Sequence, residues 1–445
     1  MLNRASFFLI ALLIGCQAKD EPISSIHLPL TIVKGYGPFI PAFSLLTKEH
    51  SSTDPAGAGW VKTYLPITGT PAKWRNVSRS MIVLNIRQLV YQNYVSGNIS
   101  LEMYSYLQKS WQWQPDELKL SKKPIKCYVY VIWGINSEGN WMAMVDTNNN
   151  LDFSDEKAFY PEILEHNNKN VSSTLNEQIV KYQVYQNNQI IDAEIPIVIK
   201  QFDGNQFGYN FPQYAKVELI QKGQKHELAV VTSGLTSAHF ENASIVEMDG
   251  SVQNKVIEDN ELIEIEQYIT LGGLLGTKYK NKGVDLFNNT VKLEGIPSDV
   301  VVYSTQVGYL FQPFSAKEFS TKKTISLESL KGKYVLIDFW GTWCRGCVEE
   351  IPNLVTIYKG LDKSRFEFIG IVGEDTSEKL RKFIDKNGVT WPQILSDNSN
   401  KLIEIYKITR FPQTVLLDPS GKVIAKDLRG KELEIKLNEI ALKKI

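Results

Sequence analysis

The sequence predicts a multidomain chain: an α/β domain in the last third, preceded by an α+β region that becomes mostly β after about residue 126. Three observations carry this reading. At 445 residues the chain is too long for one ordinary domain and suggests roughly three. From Lys126 to about Glu294, short apolar or alternating segments such as Ile197–Phe202, Ala215–Ile220 and Leu228–Val231 are separated by Gly and Asn turns, as half-buried strands are. After Tyr334, short apolar runs alternate instead with amphipathic stretches of helical spacing.

The C-terminal elements follow one by one. Tyr334–Phe339 is continuous, β-branched and aromatic, as expected for a strand covered on both faces. After Gly341-Thr342, the stretch from Cys344 to about Tyr358 places Val348, Ile351, Leu354, Val355 and Tyr358 near helical spacing. Phe366–Val372 reads as a second buried strand. Ser377–Asn387 reads as an amphipathic helix stopped by Gly388, and Leu402–Tyr406 as a short one. Phe411-Pro412 then leads into Val415–Asp418, a Pro-Ser-Gly turn and Lys422–Ala425, which is a hairpin signal.

The chemistry sits in Trp343-Cys344-Arg345-Gly346-Cys347. Cys344 falls at or beside a helix N-terminus, where free N–H groups and the helix dipole favour a thiolate. Cys347 lies one turn inside on the same face, so one sulfur can attack an external disulfide and the other resolve the mixed disulfide. The competing reading is half a zinc site, which needs about four ligands. The other cysteines are Cys16 and Cys127, and all five histidines (His27, His50, His166, His226 and His239) precede the motif by more than a hundred residues. Redox is therefore the reading of this C-x-x-C.

Residues from about 308 to the end resemble the TlpA/ResA-type thioredoxin-like thiol–disulfide oxidoreductases. The match rests on Thr324–Lys333, the Phe339–Cys347 run, Glu350-Ile351-Pro352, and Phe411-Pro412 with its hairpin. The resemblance implies a thioredoxin fold over residues 305–445, with Cys344 and Cys347 as the catalytic dithiol. It implies that Pro412 forms a cis peptide beside the dithiol, and that Phe411, Pro412 and Trp343 bind substrate, Phe411 pairing its backbone with a substrate segment. It also implies that Glu350 is a partly buried acid tuning the thiols and shuttling protons. Arg345 is expected either to support the thiolate or to point into water.

At the other end, Met1–Arg4 is a short positive stretch and Ala5–Ile14 an apolar run of ten residues, against the roughly twenty a bilayer-spanning helix needs. Leu13-Ile14-Gly15-Cys16 resembles a bacterial lipobox, which implies a signal peptide over 1–15 and a lipid on Cys16, followed by a tether over 16–30. Lys19-Asp20-Glu21 resembles the surface-export tether of Bacteroidetes lipoproteins. The expected location is the cell envelope, on the outer membrane, with either face open.

The region 31–300 is expected to be α+β, with a break near 175–185 if it holds two subdomains. Residues 80–111 read helical, with Ile82, Ile86, Leu89 and Val90 on one face, a break at Gly97 and a cap at Ser100. Asp146, Asn148, Asn150 and Asp152 alternate as in a calcium loop, although Leu151 replaces the loop glycine and Lys157 stands where a bidentate Glu belongs. A metal-free Asn-rich hairpin loop fits the same residues. The dithiol chemistry requires no cofactor, so calcium is the one ion these residues suggest. Cys127 opens an alternating strand and reads as a buried, inert thiol.

Formal charge is zero and no basic stripe argues for nucleic acid. The expected partners are disulfide-bearing envelope proteins and a separate electron donor. The competing function is a surface lipoprotein whose N-terminal region binds a ligand, the redox domain being accessory. A thiol peroxidase fits less well, because such an enzyme has no need of Cys347.

Overall fold

The computed structural model describes residues 25–442, apart from 55, 56, 166, 168, 249–255, 274 and 275. The signal peptide, the lipobox and Cys16 lie outside these residues. The chain divides into two compact units, Met1–Ser298 and Asp299–Ile445. Among the described residues, no helix is long and apolar enough to cross a membrane.

The first unit is built mainly from antiparallel sheet. Strands Ile26–Pro29, Thr290–Ile296, Thr277–Asp285 and Tyr268–Leu271 lie side by side in that order. A second sheet orders Ser244–Glu247, Gln224–Val231, Gln213–Gln221 and Thr31–Lys34. Val217, Leu228, Val230 and Ile245 from one sheet meet Leu271, Tyr279, Val291 and Leu293 from the other in a shared core. The expected tether is shorter than 16–30: Ile26 pairs with Leu293 and Leu28 with Val291, and both side chains pack against this core. Alternation of Ile and Leu with polar neighbours commits the segment to the sheet.

Two further sheets share another core. The fourteen-residue strand Gln189–Phe202 pairs with Gln178–Gln186, Gln206–Asn210 and Glu162–Ile163. A three-stranded sheet orders Arg75–Val83, Tyr128–Ile135 and Trp141–Val145. The break expected near 175–185 coincides with a strand, and its Val180 and Tyr182 join Val129 and Val131 in one cluster. The helical expectation for 80–111 is corrected at its start. Arg75–Val83 is a strand whose Ser78, Ser80 and Ile82 are buried at period two, and helices occupy Ile86–Val95 and Leu101–Ser110. Ile82 and Ile86 happen to stand four apart, which mimics a helical face across a strand-to-helix joint. The Ser100 hydroxyl caps the second helix, accepting from the Met103 N–H at 3.2 Å.

The second unit has a hairpin of β1 (Ser315–Lys317) and β2 (Thr324–Ser326), then the main elements: β3 (Tyr334–Trp340), α1 (Arg345–Gly360), β4 (Phe366–Val372), α2 (Ser377–Asn387), β5 (Gln393–Leu395), α3 (Leu402–Ile405), β6 (Gln413–Leu417), β7 (Val423–Lys426) and α4 (Gly430–Leu442). The sheet order is β5-β4-β3-β6-β7, with β3, β4 and β5 parallel and β6 and β7 antiparallel to their neighbours. This is the expected thioredoxin-like arrangement.

Alternation along β3 sends Leu336 and Trp340 to one face, with Ile351 and Leu354 of α1, Leu380 of α2, and Leu433 and Leu437 of α4. Val335, Ile337 and Phe339 face the other way, toward Ala316 of β1 and Leu402 of α3. Period two therefore places Asp338 on the Leu336–Trp340 face, beneath the helix that carries the dithiol.

Candidate active site

The site forms where the central strand β3 ends and α1 begins. Gly341 is required there because a Cβ at this position would lie 2.6 Å from the Trp343 indole nitrogen and 3.0 Å from the Gly373 carbonyl oxygen. The Trp343 indole folds across this gap and donates to the Gly373 carbonyl at 3.1 Å. The Thr342 N–H donates to the Asp375 carboxylate at 2.7 Å, so the turn is tied twice to the chain following β4.

Cys344 is the residue capping α1. Its Sγ accepts from the Cys347 N–H at 3.2 Å, the place a capping oxygen normally takes. The two sulfurs are joined in a disulfide with Cα atoms 5.2 Å apart. Both are largely shielded, but Cys344 retains 7% exposure against 2% for Cys347, so the capping cysteine is the more accessible of the two. Arg345 points outward and pairs with Glu349 at 2.8 Å, so of its two expected roles the structure gives the solvent-facing one.

Pro412 lies opposite. The Phe411–Pro412 peptide is cis, and the Pro412 ring comes to 3.7 Å from where a Cβ on Gly346 would stand. The rings of Trp343 and Phe411 meet edge to face at 5.4 Å, with Trp343 about half exposed, forming an apolar lip beside the dithiol. Glu350 is half-buried, and its Oε1 accepts from the Asn353 amide at 2.7 Å and from the Gly430 N–H at 2.8 Å. Trp343, Cys344, Cys347, Glu350, Phe411 and Pro412 are thus drawn together from two chain segments more than fifty residues apart.

Two residues here escaped the sequence reading. Asp338 is 4% exposed; burial pushes its carboxyl up to about 7, the nearby Arg429 charge opposes that rise, and the Glu350 charge adds to it. Its signal was present, since it is the only charged residue in the apolar run Tyr334–Trp340. Arg429 donates to the Pro412 carbonyl from the loop before α4, and nothing in the local sequence marks it.

The four residues expected to hold calcium lie in the first unit, in the loop after strand Trp141–Val145. Asp146 is fully buried, and its two oxygens accept from the N–H groups of Asn150 and Leu151 at 2.9 Å each. The Asn148 side-chain Oδ1 accepts from the Asn150 N–H, the Asn150 side-chain Oδ1 from the Asp152 N–H, and the Asp152 carboxylate from the Ser154 N–H. Both asparagine amides donate to Asp155 at 2.9 Å. Among the described residues, no group of three or more His, Cys, Asp or Glu is placed to share an ion. The loop is closed by its own hydrogen bonds, with Leu151 held at φ +67° where glycine is the usual choice. Cys127 is fully buried, and loss of solvent pushes its thiol up to about 12, far from nucleophilic use at neutral pH.

Residues 307–426 match the model of the AhpC/TSA family. Over 140 residues the chain is 32% identical to thiol-disulfide oxidoreductase ResA of Bacillus thuringiensis, a match spanning 32% of this chain and 79% of that protein. ResA of Oceanobacillus iheyensis is 30% identical over 142 residues, covering 31% of this chain and 73% of its own. Among solved structures, the thioredoxin domain of a thiol-disulfide oxidoreductase from Bacteroides vulgatus is 31% identical, covering 30% of this chain and 96% of that domain, with a TM-score of 0.29. Through its C-terminal domain, the chain belongs to the ResA family of thiol–disulfide oxidoreductases.

Proposed function

We propose that this protein is a lipid-anchored enzyme of the cell envelope that reduces protein disulfides with the Cys344–Cys347 dithiol. The observation that carries the reading is the redox pair itself: a helix-capping cysteine joined to a second cysteine one turn inside, facing Pro412 and next to Glu350. In the reduced enzyme, the Cys344 thiolate attacks one sulfur of the substrate disulfide. That bond breaks, the departing substrate thiolate takes up a proton, and Cys344 is left in a mixed disulfide. Cys347 then loses its proton and attacks the Cys344 sulfur, forming the internal disulfide and releasing the second substrate thiol. Two electrons and two protons pass to the substrate, and a separate dithiol donor must return them.

The proton from Cys347 goes to the buried carboxyl beneath α1. Asp338, held near neutrality by burial, is poised to accept and release it, and half-buried Glu350 acts on that carboxyl through its charge. The Trp343–Phe411 lip and the Phe411 backbone hold the substrate segment. Attachment through a lipid on Cys16, on the outer membrane, is the setting that the N-terminal sequence supports.

The test uses the full-length protein and a peptide disulfide. Cys344→Ser is expected to lose turnover completely, while Cys347→Ser accumulates a mixed disulfide visible on a non-reducing gel. Undiminished turnover in Cys344→Ser refutes the mechanism. Cys16→Ser is expected to move the protein from the membrane to the soluble fraction, and its retention in the membrane refutes the anchor.

A further inference from the structure

The loop between β7 and α4 meets the active site at more points than a simple connection needs. The Asp427 N–H donates to the Thr414 carbonyl at 2.8 Å, and the Thr414 hydroxyl donates to the Leu428 carbonyl at 2.9 Å. Arg410 pairs with Asp427 at 3.5 Å, and the Gly430 N–H donates to Glu350 at 2.8 Å. Arg429 stands in the middle of this strap. Its guanidinium donates to the Pro412 carbonyl, one residue from the Phe411 backbone, and its charge acts on Asp338.

We propose that Arg429 is a positioning residue for disulfide exchange: one guanidinium fixes the Pro412 carbonyl in the substrate-docking segment and supplies the positive charge facing Asp338. The inference rests on the dithiol reading above and deepens it. The charges acting on Asp338 are Glu350, from α1, and Arg429, from the loop before α4; they oppose each other. Arg429 favours the ionised carboxylate that accepts the Cys347 proton, and Glu350 disfavours it. Holding Pro412 with a charged donor also narrows the positions available to Phe411, so the docking edge is set before substrate arrives. Arginine suits both tasks, because its charge persists at every working pH and its planar fork keeps its direction.

The experiment compares Arg429→Gln and Arg429→Lys with the wild type, all full-length and reduced. Titration of the Asp338 carboxyl is followed by carbon NMR, its signal assigned with Asp338→Asn, and KM is measured on a peptide disulfide. Arg429→Gln is expected to move the Asp338 midpoint upward and to raise KM roughly tenfold, the size of one charge-assisted hydrogen bond. Arg429→Lys is expected to return the midpoint to the wild-type value while leaving KM raised, because charge is restored and the fork is not. An unmoved midpoint in Arg429→Gln, or equal midpoint shifts in both variants, overturns the proposal. So does an unchanged KM in Arg429→Gln. Should Arg429→Gln not fold, Arg429→Lys decides alone: a wild-type midpoint with raised KM supports the assignment, and any other pairing overturns it. The titration needs no substrate, so a wild-type protein without reductase activity would refute the proposed function while leaving the charge assignment measurable.

Discussion

Among the described residues, each unit of this protein buries one aspartate, and the two are treated in opposite ways. Asp146, in the first unit, is fully enclosed, and burial raises its carboxyl; the N–H groups of Leu151, Asn150 and Asn149 oppose that rise. Asp338, in the second, is nearly as enclosed, but the forces on its carboxyl are burial, the charge of Arg429 and the charge of Glu350. Backbone donors bind a carboxylate at fixed positions and hold a loop in shape. A carboxyl governed by burial and opposing charges keeps its proton within reach at neutral pH. The first arrangement makes a staple, and the second is the one we propose as an acid–base group.

The sharpest way to break this contrast is Asp338→Asn. If Asp338 carries the Cys347 proton, the single-turnover rate of mixed-disulfide resolution at pH 7 is expected to fall roughly a hundredfold, the low end of general-base effects. The same variant should gain stability. A carboxyl raised from 3.8 to about 7 in the folded state favours folding only while both states are protonated, and its cost grows as pH climbs from about 4 through 7. Chemical denaturation at pH 8 is expected to show Asp338→Asn more stable than wild type by on the order of 4 kcal/mol, with no difference at pH 3. A variant equally stable at both pH values would show that the group is not raised.

Asp146→Ala is the converse. It leaves the Leu151 N–H without its acceptor and the Asn150 N–H with Asn148 alone, and denaturant melts are expected to show a loss of about 1–3 kcal/mol in the first unit. Disulfide reduction by the second unit should be unchanged, and a parallel loss of turnover would contradict the division of labour. The smallest effect is expected at Leu151→Gly. Relief of the positive φ at this half-buried residue offsets the lost packing, so a shift below about 1 kcal/mol should appear in the same melts.

Much of the redox domain was legible because its information is contiguous. A strand, a tight turn and a helix opening with C-x-x-C follow one another within twenty-five residues, and each has its own periodicity. Phe411-Pro412 was recognisable as a motif although it lies far along the chain. The first unit was harder to read for a physical reason. Its strand Arg75–Val83 runs into the helix Ile86–Val95 after only two residues, and the apolar positions of the two elements merge into a single helix-like pattern. Likewise, the partner of Ile26–Pro29 among the described residues begins far along the chain, at Thr290.

The sequence alone determined that this chain carries a cysteine pair at a helix start, because helix capping and one-turn spacing are local properties of consecutive residues. Glu350 was named there too, from the resemblance; only the tertiary structure added Asp338 and Arg429 to the surroundings of that pair. Asp338 acquires its environment when α1 and α4 close over one face of β3, and Arg429 arrives by way of the antiparallel pairing of β6 and β7. Burial and through-space charge belong to the packed molecule, and no stretch of unpacked chain possesses them.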